Sequence, residues 1–190
     1  ERFGRRAHEK AWPQVYQQFL PDSVVLVDLS RTERDLHHDE DRAARVQIDG
    51  IDTPVELSFQ EKFRRHKWAS ERDLTIAYYN EETGENLYLE NSDADYFLYG
   101  FYDDENDSLG ETVIVSMTRL KMALATGSLE FETYKHESKG HRFLAIGFDE
   151  LRNENLIEFH YNDFYSPDPI YTYERGESIR QFRDSSYWIT

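Results

Sequence analysis

Apolar and polar positions alternate most clearly between Leu57 and Phe63. Leu57, Phe59, Glu61 and Phe63 fall on one side of a period-two pattern, and Ser58, Gln60 and Lys62 on the other. That is the signature of a strand with one face in a core. Together with the residues before it, the stretch 44–65 predicts two antiparallel strands punctuated by Gly50 and Pro54. Upstream, residues 5–20 place Ala7, Trp12, Val15, Tyr16 and Phe19 at helical spacing. Pro13 either opens a second helix there or kinks a longer one. Val24–Leu29 is a short β-branched run and reads as a buried strand.

Downstream the pattern continues to mix strands and helices. Residues 66–73 read as a polar connection or short helix, and Leu74–Tyr79 as a strand. A turn over 80–86 follows, and 87–89 fits a short return strand. Tyr96–Tyr102 is a strongly aromatic strand and Thr112–Ser116 another. Met117–Ala125 predicts a helix closed by Gly127. His141–Phe148 reads as a strand, Asp149 as the cap of a short helix through Arg152, and Leu156–Tyr161 as a last strand. The tail from Ser166 is rich in Pro, Tyr and Arg and reads as irregular. The expected class is α/β: a central mixed β-sheet with flanking helices. At 190 residues the whole of 1–190 is expected to be a single domain, with its core over about 5–160 and the irregular tail over 166–190.

Charge changes this picture more than length does. There are 38 Asp and Glu against 22 Lys and Arg, a net charge of −16, and the acid is spread along the whole chain. With 15% aromatic residues the chain is too rich in core formers to be a disordered acidic tail. The profile is similar to that of proteins from salt-loving organisms. In about 1 M salt the Debye length is only about 3 Å, so an acidic protein can still meet nucleic acid through a local basic patch. In dilute salt the same net charge opposes that contact. The absence of cysteine excludes a disulfide framework, a zinc–thiolate site and a thiol nucleophile. No apolar run approaches membrane-spanning length, so neither a transmembrane helix nor a signal peptide is expected, and a cytoplasmic location is.

The chemistry concentrates around the alternating strand. Gln60 and Lys62 share a face, and aspartates precede them at Asp39, Asp41, Asp49 and Asp52. An oxygen ligand and a lysine side by side on a rigid strand, with a carboxylate on the neighbouring strand, are the minimum set for metal-assisted phosphodiester cleavage. Register leaves the aspartate open, because cross-strand partners must share a face. A two-residue turn at Asp49–Gly50 puts Asp39 opposite Gln60 and Asp41 opposite Ser58. An odd-numbered turn at Val55–Leu57 puts Asp52 opposite Gln60. The run Lys62-Phe63-Arg64-Arg65-His66-Lys67 is the most concentrated basic stretch in the chain.

Gln47-Ile48-Asp49-Gly50-Ile51-Asp52, followed by Gln60-Glu61-Lys62-Phe63-Arg64, resembles the core of the PD-(D/E)XK, restriction-endonuclease-like nuclease superfamily. The strand beginning Ala94-Asp95-Tyr96 is similar to one found downstream in small members of that group. The resemblance implies a restriction-endonuclease-like core and a metal-dependent DNA nuclease. It makes Asp52 the metal-ligating aspartate, places Gln60 at the acidic position of the triplet and makes Lys62 the catalytic lysine. The peptide carbonyl of Glu61 becomes a further ligand, and Glu9 the candidate glutamate from the first helix. The cofactor implied is Mg²⁺ or Mn²⁺, hard cations that take oxygen ligands. Arg64, Arg65 and Lys67 are then the DNA-contacting residues, and cutting both strands would call for a homodimer. Gln60 departs from the pattern, since an amide brings no charge. The departure admits a catalytically inactive relative that binds DNA or a protein partner.

Smaller signals point elsewhere with less force. His37-His38-Asp39-Glu40-Asp41 has transition-metal ligand types on a loop. Asp103-Asp104-Glu105-Asn106-Asp107 has calcium-loop composition without the EF-hand spacing. The aromatic strand could stack bases, although alternating aromatics in a strand are ordinarily core. No phosphate-binding glycine loop, dinucleotide fingerprint or serine nucleophile elbow is present.

Overall fold

The computed structural model describes residues 2–20, 24–29, 32–33, 40–47, 53–86, 88–135 and 140–161. The chain opens with α1 (Arg2–Ala11), a π-helical turn over Trp12–Tyr16 and a single helical turn, α2 (Gln17–Phe19). Pro13 sits in that π-helical turn, where the Gln17 N–H reaches back five residues to the Trp12 carbonyl. A proline that can neither donate nor tolerate the preceding carbonyl is a usual cause of such a widened turn.

Strands β1 (Val25–Asp28), β2 (Arg42–Val46), β3 (Val55–Arg65), β6 (Tyr96–Asp103), β7 (Ser108–Ser116) and β10 (Ile157–Tyr161) form a six-stranded sheet in the order β1-β2-β3-β6-β7-β10. The β3–β6 pair is parallel and the others are antiparallel, so the central sheet is mixed as expected. A second, antiparallel sheet runs β5-β4-β9-β8, from β4 (Asp73–Asn80), β5 (Glu85–Asn86), β8 (Glu132–Lys135) and β9 (His141–Gly147). Helices α3 (Tyr88–Asn91), α4 (Met117–Thr126) and α5 (Phe148–Asn153) complete the described fold. None of the described helices is long and apolar enough to cross a membrane.

β6 explains the layering. All eight of its residues are buried, because both faces of this central strand are covered. Phe97, Tyr99 and Phe101 face the second sheet and pack with Leu74, Ile76, Ile146, Phe148 and Leu120. Tyr96, Leu98 and Tyr102 face the other way and pack with Ala7, Ala11, Val15, Tyr16 and Phe19 from the N-terminal helices. Gly100 is opposite Thr112 on β7, and a side chain there would lie 2.2 Å from the threonine hydroxyl. α4 begins at Ser116, whose hydroxyl accepts the Arg119 N–H, and ends at Gly127 in the left-handed region. α5 starts two residues earlier than Asp149 would allow as a cap. Gly147 holds that position, and Asp149 sits inside the first turn, where its charge suits the helix dipole.

A polar clasp holds the rim of the two layers. Glu111, 5% exposed on β7, accepts from Arg72 Nε and Nη2 at 3.0 and 2.9 Å and from His160 Nε2 at 2.9 Å. Burial works to raise its pKa, but the hydrogen bonds and charges of His160 and Arg72 win and hold it at about 2. A carboxylate depressed from 4.5 to about 2 contributes stability above its ordinary pKa and loses it as pH falls through the folded value. The difference corresponds to roughly 3 kcal/mol. Urea denaturation between pH 5 and 2 is expected to show that loss in the wild type and a much flatter profile in Glu111→Gln. Parallel profiles would remove Glu111 as the cause.

Candidate nucleic-acid site

β3 places the expected triplet as its alternation requires. Its parallel register sets Gln60 beside Phe97 and Lys62 beside Tyr99, both on the face covered by the second sheet. Glu61 lies beside Leu98, on the face covered by α1. The Gln60–Lys62 pair therefore lies between two layers. Gln60 is 7% exposed, and no hydrogen bond among the described residues engages its amide. Lys62 Nζ donates to the Thr75 carbonyl on β4 at 2.7 Å and lies 5.5 Å from the centre of the Phe143 ring on β9. Among the described residues it forms no ion pair with a carboxylate. Burial lowers its pKa, the nearby Arg64 charge lowers it further, and Asp73 only partly offsets them, leaving it at about 8.

The basic run after the triplet divides between the two faces. Arg64 follows Lys62 on the interlayer side, donating to Asp73 at 2.6 Å and lying 5.3 Å from the Trp68 ring centre. Arg65 turns to the helix side, pairs with Asp104 at 3.2 Å and lies over Phe3 of α1. Lys67 is in the 3₁₀ turn His66–Glu71, with its ammonium 5.1 Å from the Trp68 ring centre. Arg64 and Lys67 thus meet around one indole, while Arg65 does not join them.

Of the carboxylates expected to complete a metal site, only Asp41 and Glu9 are among the described residues. Asp52 lies outside the described residues, as do Asp39 and Asp49. The odd turn that would have put Asp52 opposite Gln60 does not form. Val55, Glu56 and Leu57 are already strand, paired with Val46, Arg45 and Ala44, and the link between β2 and β3 covers 47–54. The pairing expected from a two-residue turn at Asp49–Gly50 is not the one the described residues make, since Arg42 is opposite Phe59 and Val46 opposite Val55. The observed register is two residues on from it, which brings Asp41 to the Gln60–Glu61 step rather than opposite Ser58. Asp41 donates its N–H to the Phe59 carbonyl, and its carboxylate accepts the Glu61 N–H at 2.6 Å. Glu9 is on α1, exposed and paired with Arg5 at 2.9 Å. Because α1 covers the opposite face of the sheet, Glu9 and Lys62 do not converge.

What pattern reading missed is the Glu61 side chain, considered only for its carbonyl. Its carboxylate is completely buried and gathers Tyr16 Oη at 2.5 Å, Arg42 Nε at 3.0 Å and His8 Nδ1. The signal was present: Glu61 stands between Phe59 and Phe63 on the core-facing side of the alternation, where an acid needs partners. Burial pushes the His8 imidazole pKa down, but its hydrogen bond and charge interaction with Glu61 outweigh that and raise it. Burial and the Glu61 charge together push the Tyr16 phenol well up.

Among the described residues no group of three His, Asp or Glu side chains could hold a metal ion. The Gln60 face supplies one neutral oxygen beside an ammonium group, and Glu61 already has three donors. The described residues alone do not fit Mg²⁺ or Mn²⁺.

No protein-family model matches this chain. No curated protein matches it. Among solved structures it is similar to D212, a nuclease from a fusselovirus, at 14% identity over 80% of this chain and 89% of that one, with a TM-score of 0.36. A likeness of that size describes the other protein, and no property of this chain is drawn from it.

Proposed function

We propose that the chain is a DNA nuclease that hydrolyses phosphodiester bonds at the Gln60–Lys62 face of β3, with a restriction-endonuclease-like arrangement of that strand and its neighbours. One observation carries the reading: an ammonium group held by the Thr75 carbonyl, with no carboxylate partner among the described residues, shares a face of a central strand with an amide that makes no hydrogen bond among the described residues. An ammonium so placed donates to a non-bridging phosphate oxygen as negative charge builds there, which is electrostatic stabilisation of the transition state. Mg²⁺ or Mn²⁺ dependence then rests on Asp52 and its loop.

A second reading has its own support. Gln60 at the acidic position, and the lack of a three-ligand group among the described residues, favour a non-catalytic protein that binds DNA or a protein partner. Plasmid and oligonucleotide cleavage with Mg²⁺, with Mn²⁺ and with EDTA, at low and molar salt, separates the two. The nuclease reading expects cleavage that needs the metal and falls at least about 100-fold in Asp52→Asn. Cleavage in EDTA would remove the metal, and an unchanged rate in Asp52→Asn would remove Asp52 as its ligand. DNA binding with no cleavage under any condition would favour the second reading.

A further inference from the structure

We propose that Trp68 and Tyr134, with Arg64 and Lys67 alongside Trp68, form a binding surface for single-stranded nucleic acid, on which unpaired bases stack. This deepens the nuclease reading and rests on it for the identity of the chain that is cut.

The argument starts from exposure. Trp68 is 45% exposed and Tyr134 is 43% exposed, in a fold that buries Tyr16, Tyr99 and Tyr102 completely. Neither ring is left over for want of a core, since both are held in place. Tyr134 on β8 is stacked on Phe143 of β9, with centroids 5.3 Å apart and planes 10° from parallel, and the two residues are register partners. Trp68 has Arg64 and Lys67 against its ring at 5.3 and 5.1 Å. The row on β3 links the two aromatics: Lys62 lies 5.5 Å from the centre of the Phe143 ring on which Tyr134 stacks, and Arg64, two residues on, lies against Trp68. The row Gln60, Lys62, Arg64 runs along one face of β3, from buried Gln60 outward to this exposed pair. A strand of nucleic acid resting on the rings would have its backbone led toward Lys62.

The chemistry selects the partner. Flat aromatic faces flanked by cations suit bases and phosphates together, and stacking requires bases out of a duplex. Acid also borders the patch: Asp73 pairs with Arg64, Glu71 closes the 3₁₀ turn, and Glu132 opens β8. In a chain of net charge −16 this leaves few cations for phosphate, so stacking supplies most of the affinity.

Fluorescence polarisation with a labelled oligo(dT) 20-mer and the matching duplex tests this, in EDTA so that no cleavage interferes. Single strand is expected to bind at least 10-fold tighter than duplex. Trp68→Ala and Tyr134→Ala are each expected to weaken it about 10-fold, with Trp68→Phe retaining most of the affinity. Lys67→Ala is expected to lower the slope of log K against log salt by about 0.7, the effect of one phosphate contact on a single strand. Circular dichroism confirms that each variant is folded. Equal affinity for both forms, or affinity indifferent to Trp68 and Tyr134, overturns the proposal, as does binding of a protein partner in place of either nucleic acid. Stacking-dependent binding without cleavage in Mg²⁺ or Mn²⁺ would sink the nuclease reading and leave this surface standing. Duplex cleavage with no role for the two rings would do the reverse.

Discussion

Lys62→Met is expected to abolish DNA cleavage while leaving the protein as stable as the wild type, or more so. The two halves of that outcome have separate causes. Met keeps an unbranched stem against Phe143 but removes the ammonium, and with it a donor to the phosphate transition state. Removing one such donor typically costs about 100- to 1,000-fold in rate. On the stability side, the wild-type ammonium is held between two sheets with its pKa lowered from 10.5 to about 8. A lysine whose folded pKa lies below its unfolded value is a burden at low pH, because the folded state must hold a proton it resists. Between pH 8 and 10.5 the unfolded chain binds more protons, so stability rises with pH across that window. The full span corresponds to roughly 3 kcal/mol.

Urea denaturation at pH 7, 8, 9 and 9.5 reads this directly. The wild type should gain stability relative to Lys62→Met as pH rises, because the variant has no group to titrate. Comparing the two chains cancels the tyrosines, which titrate in both. On the proposed nuclease reading the same proton governs activity. Cleavage by the wild type is expected to fall above about pH 8 as the ammonium becomes an amine. Full cleavage by Lys62→Met would take Lys62 out of the chemistry. A loss of more than about 1 kcal/mol in the variant would make the ammonium a structural group bound to the Thr75 carbonyl.

How far the sequence could be read depended on how local each signal was. The alternation over Leu57–Phe63 was legible on its own, and β3 extends it at both ends to Val55–Arg65. The helix from Met117 was readable from its own closing glycine. β8 was not anticipated: Glu132–Lys135 is exposed at every position, and only pairing with β9 makes it a strand. The short strand expected at 87–89 went the other way. Pairing with β4 stops at Glu85–Asn86, and Tyr88–Asn91 is helical. The face of β3 that carries Gln60 and Lys62 was legible, but its surroundings were not. Whether a polar face meets solvent or a second sheet is decided by β4 and β9, and β9 comes about eighty residues later in the chain. The aspartate was the least legible part, since it depended on the register across a loop, and the observed pairing matched neither proposed turn.

Glu61→Ala is expected to be the most damaging single substitution in the described fold, costing about 3–5 kcal/mol, the range for breaking a buried ion pair by removing one partner. Three donors depend on this carboxylate. Arg42 is 16% exposed at its side chain, His8 is 27% exposed, and Tyr16 is completely buried. Without Glu61, an arginine and a phenol would be left in a core built by Phe59, Ala11 and Val15, with little water to take over their hydrogen bonds. These partners come from α1, the π-helical turn and β2, so the loss should loosen the N-terminal helices from the sheet rather than disturb β3 alone. A pH readout identifies the cause. In the wild type the raised His8 pKa contributes stability that is present below pH 6.5 and is lost as pH rises through the folded value. With Glu61 gone, burial and the Arg42 charge, opposed only by the Asp41 charge, lower the imidazole pKa, so stability in the same window should rise with pH instead. Glu61→Gln keeps an acceptor for Tyr16 and should fall between the two. Urea denaturation from pH 5 to 8 on all three proteins measures both effects. A cost under 1 kcal/mol for Glu61→Ala, or an unchanged pH slope, would show that the helices are held by their apolar contacts and that the buried acid is incidental.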